Sequence, residues 1–187
     1  MTTAAERYVG QSHRARFRRA LYRAGISLVG LGDLLREWND FKSAKRCLTE
    51  GIELMTKWQE AGATSGYVAL ARIKQAEGDR PGAIEDIEKA RQLAVAFDAT
   101  ELDDIEVAVY DAGLCLAQGD VEGAKRWVEG NGLAEGAGSA EAVGSPHLPY
   151  AVRELQHIMW ARVLIADNRA DEALEILDPL LLAAEGL

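Results

Sequence analysis

Two arginines, Arg72 and Arg162, are the residues of this chain whose type and placement best suit the capture of another molecule. They fall at equivalent places in an internal repeat, and Asp33 fills the same slot in an earlier copy. A guanidinium group presents a flat fork of donors that can hold a carboxylate or phosphate through two parallel hydrogen bonds. An anionic small molecule or peptide is therefore one expected ligand. The other reading has both arginines pairing with acids on neighbouring helices, where an exposed pair contributes little.

Other chemistry finds no support. His13, His147 and His157 lack the spacing of a zinc-binding helix, and Cys47 and Cys115 stand far apart. The cysteines read as small, reduced core residues. No nucleophile elbow, dinucleotide fingerprint or kinase signature is present. Glu37 and Asp40, in the stretch EWND, read as helix-end partners rather than an acid–base pair. No active site, cofactor or metal is expected.

The elements that must position the arginines follow from a four-fold self-similarity. Ala44, Ala83, Ala124 and Ala173 anchor four segments. Five residues before each anchor stands a turn former: Asn39, Gly78, Gly119 and Asn168. Twelve residues before stands a small residue: Gly32, Ala71, Ala112 and Ala161. Four residues after comes an aliphatic: Leu48, Ile87, Val128 and Leu177. Small residue, turn, small residue, aliphatic describes an antiparallel helix pair whose backbones approach closely. Repetition of such pairs marks a helical solenoid. The anchors lie 39, 41 and 49 residues apart, so one connection is longer than the rest.

The expected pairs run Ala20–Glu37 with Phe41–Gln59, Ser65–Glu77 with Arg80–Phe97, Glu101–Gln118 with Val121–Gly130, and Tyr150–Asp167 with Asp171–Ala184. Asp40 and Asp79 are placed to cap the helices that follow them, and Gly119-Asp120 repeats that chemistry. Pro81 sits in a first turn, where its missing amide hydrogen is no loss. The long connection, residues 130–149, is rich in glycine. It lacks the lysine of a phosphate-binding loop and follows a helix, so it reads as a flexible surface loop. The fold class is all-α: about four tetratricopeptide-like pairs in one repeat domain spanning 1–187.

Composition agrees. The 187 residues are 48% hydrophobic and 27% charged, with few aromatics. No segment resembles a secretory signal or a membrane span, and a cytoplasmic location is expected. Net charge is −9, unevenly spread. Residues 1–23 hold six arginines against Glu6 alone, a net +5, which leaves −14 for the remainder. An acidic body does not suit nucleic acid. The basic opening is either a contact surface for another domain or for DNA, or the solvated face of a helix leading into the first pair.

In tetratricopeptide-like pairs the first helix lines the groove. The register places Asp33, Arg36 and Glu37 there in the first pair, then Val68, Arg72 and Gln75 in the second. Val109, Gly113 and Leu116 follow in the third, and Ile158, Arg162 and Ile165 in the fourth. Leu31, Leu70, Trp127 and Trp160 are expected to pack between helices, as are Trp38 and Trp58 at helix ends.

The stretches GLGDLLREWNDFKSAKRCLTEGIELMTKW, GYVALARIKQAEGDRPGAIEDIEKARQLA and YAVRELQHIMWARVLIADNRADEALEILDPLLLAAE resemble the helical-repeat sensor region of MalT-like, LuxR-type transcriptional activators. The resemblance covers about Ala24–Gly186. It implies a module that binds an inducer or partner and controls a larger regulator of the STAND ATPase class. The chain has neither a Walker A motif nor a recognisable helix-turn-helix, so nucleotide hydrolysis and DNA binding are not assigned to it. The economical expectation is a fragment or excised domain of such a regulator, touching the parent's other domains. Uncovered apolar end faces further suggest self-association. A protein–protein scaffold that takes a peptide or helix in the groove is the alternative.

Overall fold

A computed structural model describes residues 4–57, 63–96, 100–131, 133 and 149–185, with backbone alone for 4–15, 150 and 151. The side chain of His13, together with Trp58, His147 and most of the 130–149 loop, lies outside the described residues. Among the described residues there are eight helices and no strand. They are α1 (Ala4–Glu37), α2 (Phe41–Thr56), α3 (Ala63–Ala76), α4 (Arg80–Ala96), α5 (Glu101–Ala117), α6 (Val121–Gly130), α7 (Tyr150–Ala166) and α8 (Ala170–Glu185). Each helix packs on its sequence partner, so the architecture is an all-α set of tetratricopeptide-like pairs.

The four turns are built alike. Asn39, Gly78, Gly119 and Asn168 all adopt the left-handed conformation, with φ of 60°, 84°, 82° and 61°. Glycine enters that region without steric cost, and asparagine more readily than other side chains. In each turn two amides bond backwards onto the helix just ended. Asn39 N–H donates to Arg36 O and Asp40 N–H to Leu35 O; Gly119 N–H donates to Leu116 O and Asp120 N–H to Cys115 O. The turns at Gly78 and Asn168 repeat the pattern onto Gln75 and Lys74, and onto Ile165 and Leu164. This Schellman arrangement satisfies carbonyls that the helix leaves unpaired.

The same turns start the next helix. The carboxylates of Asp40, Asp79 and Asp120 accept from the amides of Ser43, Gly82 and Gly123. Arg169 occupies this place in the fourth turn and has no acceptor to offer. It reaches forward instead, its Nε 2.6 Å from Glu172 Oε1.

The chain divides into two compact units, Met1–Thr100 and Glu101–Leu187. In the first, α1 packs on α2 and α3, and α3 on α4. Its core holds Val29, Ala44, Leu48, Ile52, Met55, Ala69 and Ile73. Close approach rests on missing side chains. A Cβ at Gly66 of α3 would stand 2.6 Å from Ile52 Cγ1 of α2, and one at Gly25 of α1 would stand 2.7 Å from Met55 Cγ. In the second unit α5, α6, α7 and α8 enclose Ala124, Val128, Leu133, Trp160, Ala161, Leu164 and Ala173, with Val109, Ala112 and Met159 beside them. The four anchors are at most 1% exposed and the small residues Ala71, Ala112 and Ala161 at most 2%. Burying a Leu48-sized side chain stabilises by roughly 1.5–3 kcal/mol.

One boundary departs from expectation. The first helix begins at Ala4, not near Ala20, because residues 4–20 contain no proline and, Gly10 aside, are rich in alanine and arginine, good helix formers. Its described arginines, Arg16, Arg18, Arg19 and Arg23, lie exposed along that helix.

Candidate functional site

In the first unit the expected groove residues of α1 and α3 meet. Asp33 and Glu37 lie one turn apart on α1, and Arg36 lies between them in sequence. Its Nε donates to Asp33 Oδ1 at 2.8 Å and its second guanidinium nitrogen contacts Glu37 Oε1. Arg36's side chain is only 10% exposed. Burial works against its charge, yet the hydrogen bonds it donates to Asp33 and Glu37 outweigh that, and its pKa is raised above the ordinary guanidinium value. Arg72 of α3 reaches the same two carboxylates, 3.6 Å from Asp33 and 3.5 Å from Glu37. Its side chain is 31% exposed, so it stands at the rim where a solute can meet it.

Gln75 follows Arg72 by three residues and therefore shares its face of α3. Its Oε1 is buried and has no hydrogen-bond partner among the described residues. A buried acceptor without a donor is costly.

The remaining expected positions sort by register. Val68 and Val109, three residues before the small positions of α3 and α5, are 1% and 0% exposed. They belong to the core and are unavailable to a ligand. A step of three residues turns the direction by about 300°, which carries these positions back toward the packed side. Gly113 and Leu116 are half-buried. On α7, Ile158 and Ile165 are 41% and 54% exposed, and Arg162 between them is exposed too. Arg162 belongs to the second unit and is described with it alone.

The aromatic expectations divide. Trp160 is buried at 4% and Trp127 packs against the core of the second unit. Leu31 and Trp38, expected to pack, are 45% and 69% exposed. Trp38 stands in the turn that follows α1. Cys47 is buried and Cys115 partly so; both are free thiols. Burial, followed by the nearby Asp111 and Asp120, pushes the Cys115 thiol up, away from the reactive thiolate.

Three polar features were not anticipated from the sequence. Asp86 of α4, only 2% exposed, takes Lys74 of α3 at 2.6 Å and Lys89 at 3.5 Å. Lys45 meets Glu77 at 2.7 Å, and Lys125 meets Asp167 at 3.2 Å. Those two pairs are equivalent: a lysine one residue past the anchor reaches the acid just before the next pair's turn. The third is a cleft of about 100 Å³ in the second unit, floored by Val128, Trp160, Val163 and Leu164 and rimmed by Lys125, Asp167, Arg169 and Glu172. The rim charges already pair with one another, Lys125 with Asp167 and Arg169 with Glu172. Alignment of positions +1 and −1 around anchor and turn would have revealed the lysine rungs.

Residues 3–187 match the MalT-like TPR region. The chain belongs to the MalT-like TPR family. No curated protein and no solved structure matches it. The helix pairs with left-handed turns are thus those of a MalT-like TPR region, a helical-repeat region of sensory or regulatory type. In this MalT-like TPR region, no cluster of three or more potential metal ligands occurs among the described residues. No helix among them is long and apolar enough to cross a membrane.

Proposed function

We propose that this MalT-like TPR region is the sensing and interaction module of a LuxR-type transcriptional regulator. An anionic inducer binds the α1–α3 face formed by Asp33, Arg36, Glu37, Arg72 and Gln75. The observation that carries this reading is Gln75 Oε1, a buried acceptor lacking a donor, on the same face as the rim guanidinium of Arg72. Arg72 supplies a charged fork for a carboxylate or phosphate, and Gln75 accepts from a hydroxyl or amide on the same ligand. Arg36 acts as the inner brace that fixes both acids. Binding that favours one state of the parent protein shifts its equilibrium only by the difference in affinity between states. The module itself is non-catalytic, cytoplasmic and needs no cofactor.

A panel of anionic metabolites screened by thermal shift tests this. A binding metabolite should raise Tm, and Arg72→Ala and Gln75→Leu should each abolish the rise. A shift that survives both substitutions would sink the assignment.

A second reading is favoured by the exposed Ile158, Arg162 and Ile165 of α7, spaced as one stripe of a helix. Such a stripe suits an amphipathic peptide or helix from another domain of the parent or from a partner. In that case the metabolite panel fails, and Ile165→Glu and Arg162→Ala weaken peptide capture.

A further inference from the structure

The repeat register pairs two faces that the chain leaves bare. At the junction of α2 and α3, Ile52 of α2 lies against Gly66 of α3, and Lys45 of α2 bonds Glu77 beyond the end of α3. Counted from the anchor, Leu181 is the counterpart of Ile52 in α8, and Leu174 the counterpart of Lys45. Counted from the small residue, Ser27 is the counterpart of Gly66 in α1, and Trp38 the counterpart of Glu77. All four are exposed: Leu174 56%, Leu181 59%, Trp38 69%, and Ser27 likewise.

The substitutions are matched. Where α2–α3 and α6–α7 set a lysine against an acid, in Lys45–Glu77 and Lys125–Asp167, the bare faces set Leu174 against Trp38. Ile84 of α4 and Gln118 after α5 are uncharged at the same places. Where an isoleucine meets a glycine, Leu181 meets a small serine. Neither face carries a charge at these places, so contact between them would leave no charge buried and unpaired. Charge outside the contact is complementary as well. The sixteen residues of α8 hold five acids and no base, while the exposed Arg16, Arg19 and Arg23 lie on the Ser27 side of α1. Antiparallel stacking, the arrangement at the internal junctions, brings the α8 terminus with Glu185 toward those arginines.

We propose that α8 of one copy docks on α1 of a second copy, continuing the α2–α3 type of junction from molecule to molecule. The contact is heterologous: the two surfaces differ, so each copy still offers one free face after pairing, and assembly proceeds head to tail rather than stopping at a two-fold dimer. Salt affects this contact through its arginine–acid flank, and its leucine–tryptophan centre persists.

Sedimentation of the full chain over a hundredfold range of concentration tests the proposal. Average mass should rise with concentration without a plateau at the dimer. W38E alone and L174K alone each place a charge against an apolar partner and should weaken association at least tenfold. Both positions are exposed, and an unchanged circular dichroism spectrum and Tm would show that each variant folds. An equimolar mixture of W38E and L174K should associate again. One contact then carries the unaltered leucine and tryptophan, and the next a lysine against an acid as in Lys45–Glu77. A monomer at all concentrations overturns the proposal, as does a plateau at the dimer. Association that either single variant leaves unchanged, or a mixture that stays dissociated, overturns it equally. Docking of α1 or α8 on a different partner would appear as one of these monomer results.

Discussion

Gly32 of α1 faces Leu48 of α2 so closely that a Cβ at Gly32 would lie 2.6 Å from the Leu48 Cγ and 3.2 Å from the Ala44 carbonyl oxygen. Three positions that recur through the sequence thus meet at one point. Gly32→Ala should force Leu48 aside and destabilise by about 1–3 kcal/mol, the usual range for overpacking. Ala71, at the same register place and 0% exposed, should respond to Ala71→Leu by a similar amount. Urea unfolding followed by circular dichroism measures both. A neutral result at both positions would mean that the register is wrong.

Asp86 and Lys74 form the most deeply placed ion pair among the described residues, with Asp86 2% exposed and Lys74 27%. Lys74→Ala should destabilise by about 3 kcal/mol, the low end for breaking a buried pair, because Lys89 remains 3.5 Å from the carboxylate. Replacing both partners by apolar residues of similar size, Lys74→Met with Asp86→Leu, should cost much less than Lys74→Ala alone. A double substitution as harmful as the single would refute this account of Asp86.

Asp79→Ala and Asp120→Ala each remove the acceptor that caps a helix and should cost about 1 kcal/mol apiece. The two lie in different units and share no partner, so their effects should add within a few tenths of a kcal/mol. Combined-variant urea titrations check the additivity. Arg169, already without a cap to offer, provides the internal contrast.

Stability should fall in acid, and Asp40 is one identifiable cause. Hydrogen bonds from the Ser43 hydroxyl and then the Ser43 amide hold the Asp40 carboxyl below its ordinary range. Arg169 lowers Glu172, and Lys89 lowers Glu85, in the same direction. A group whose folded pKa is depressed adds stability above its unfolded value, and that contribution drains away as pH falls through the carboxylate range. Asp40→Asn keeps a capping acceptor that does not titrate. It should leave neutral-pH stability nearly unchanged and flatten the acid limb of a Tm-against-pH curve. An unaltered acid limb would remove Asp40 from the explanation.

The helix pairs and their turns were legible because they depend on local chemistry. Asn39, Gly78, Gly119 and Asn168 each announce a left-handed residue, and all four adopt one. The limits of α6 follow directly from its capping Asp120 and the glycine at its end. The candidate site was legible only to the resolution of a helical wheel. Asp33, Arg36 and Arg72 do converge, since positions one and four past the small residue remain partly open. Val68 and Val109 were misplaced into the groove because one repeat register cannot tell an open flank from the face that the partner helix covers. Trp38 was read as packed on the strength of its ring, whereas it stands 69% exposed in the turn after α1. The Lys74–Asp86 pair was invisible for another reason. Nothing local marks which of 30 acids will be buried.

The four left-handed turns have a consequence for how such a chain can change length. Since each turn closes on its own preceding helix and opens its own following one, it serves as a reading mark that is independent of the helices it joins. Joining Asn39 directly to Asp79 would remove 40–78 and still leave a left-handed residue followed by a capping aspartate. Whole pairs can therefore be excised or duplicated at these marks without putting the remaining anchors out of phase, while a deletion of one residue inside any helix rotates everything beyond it by about 100°.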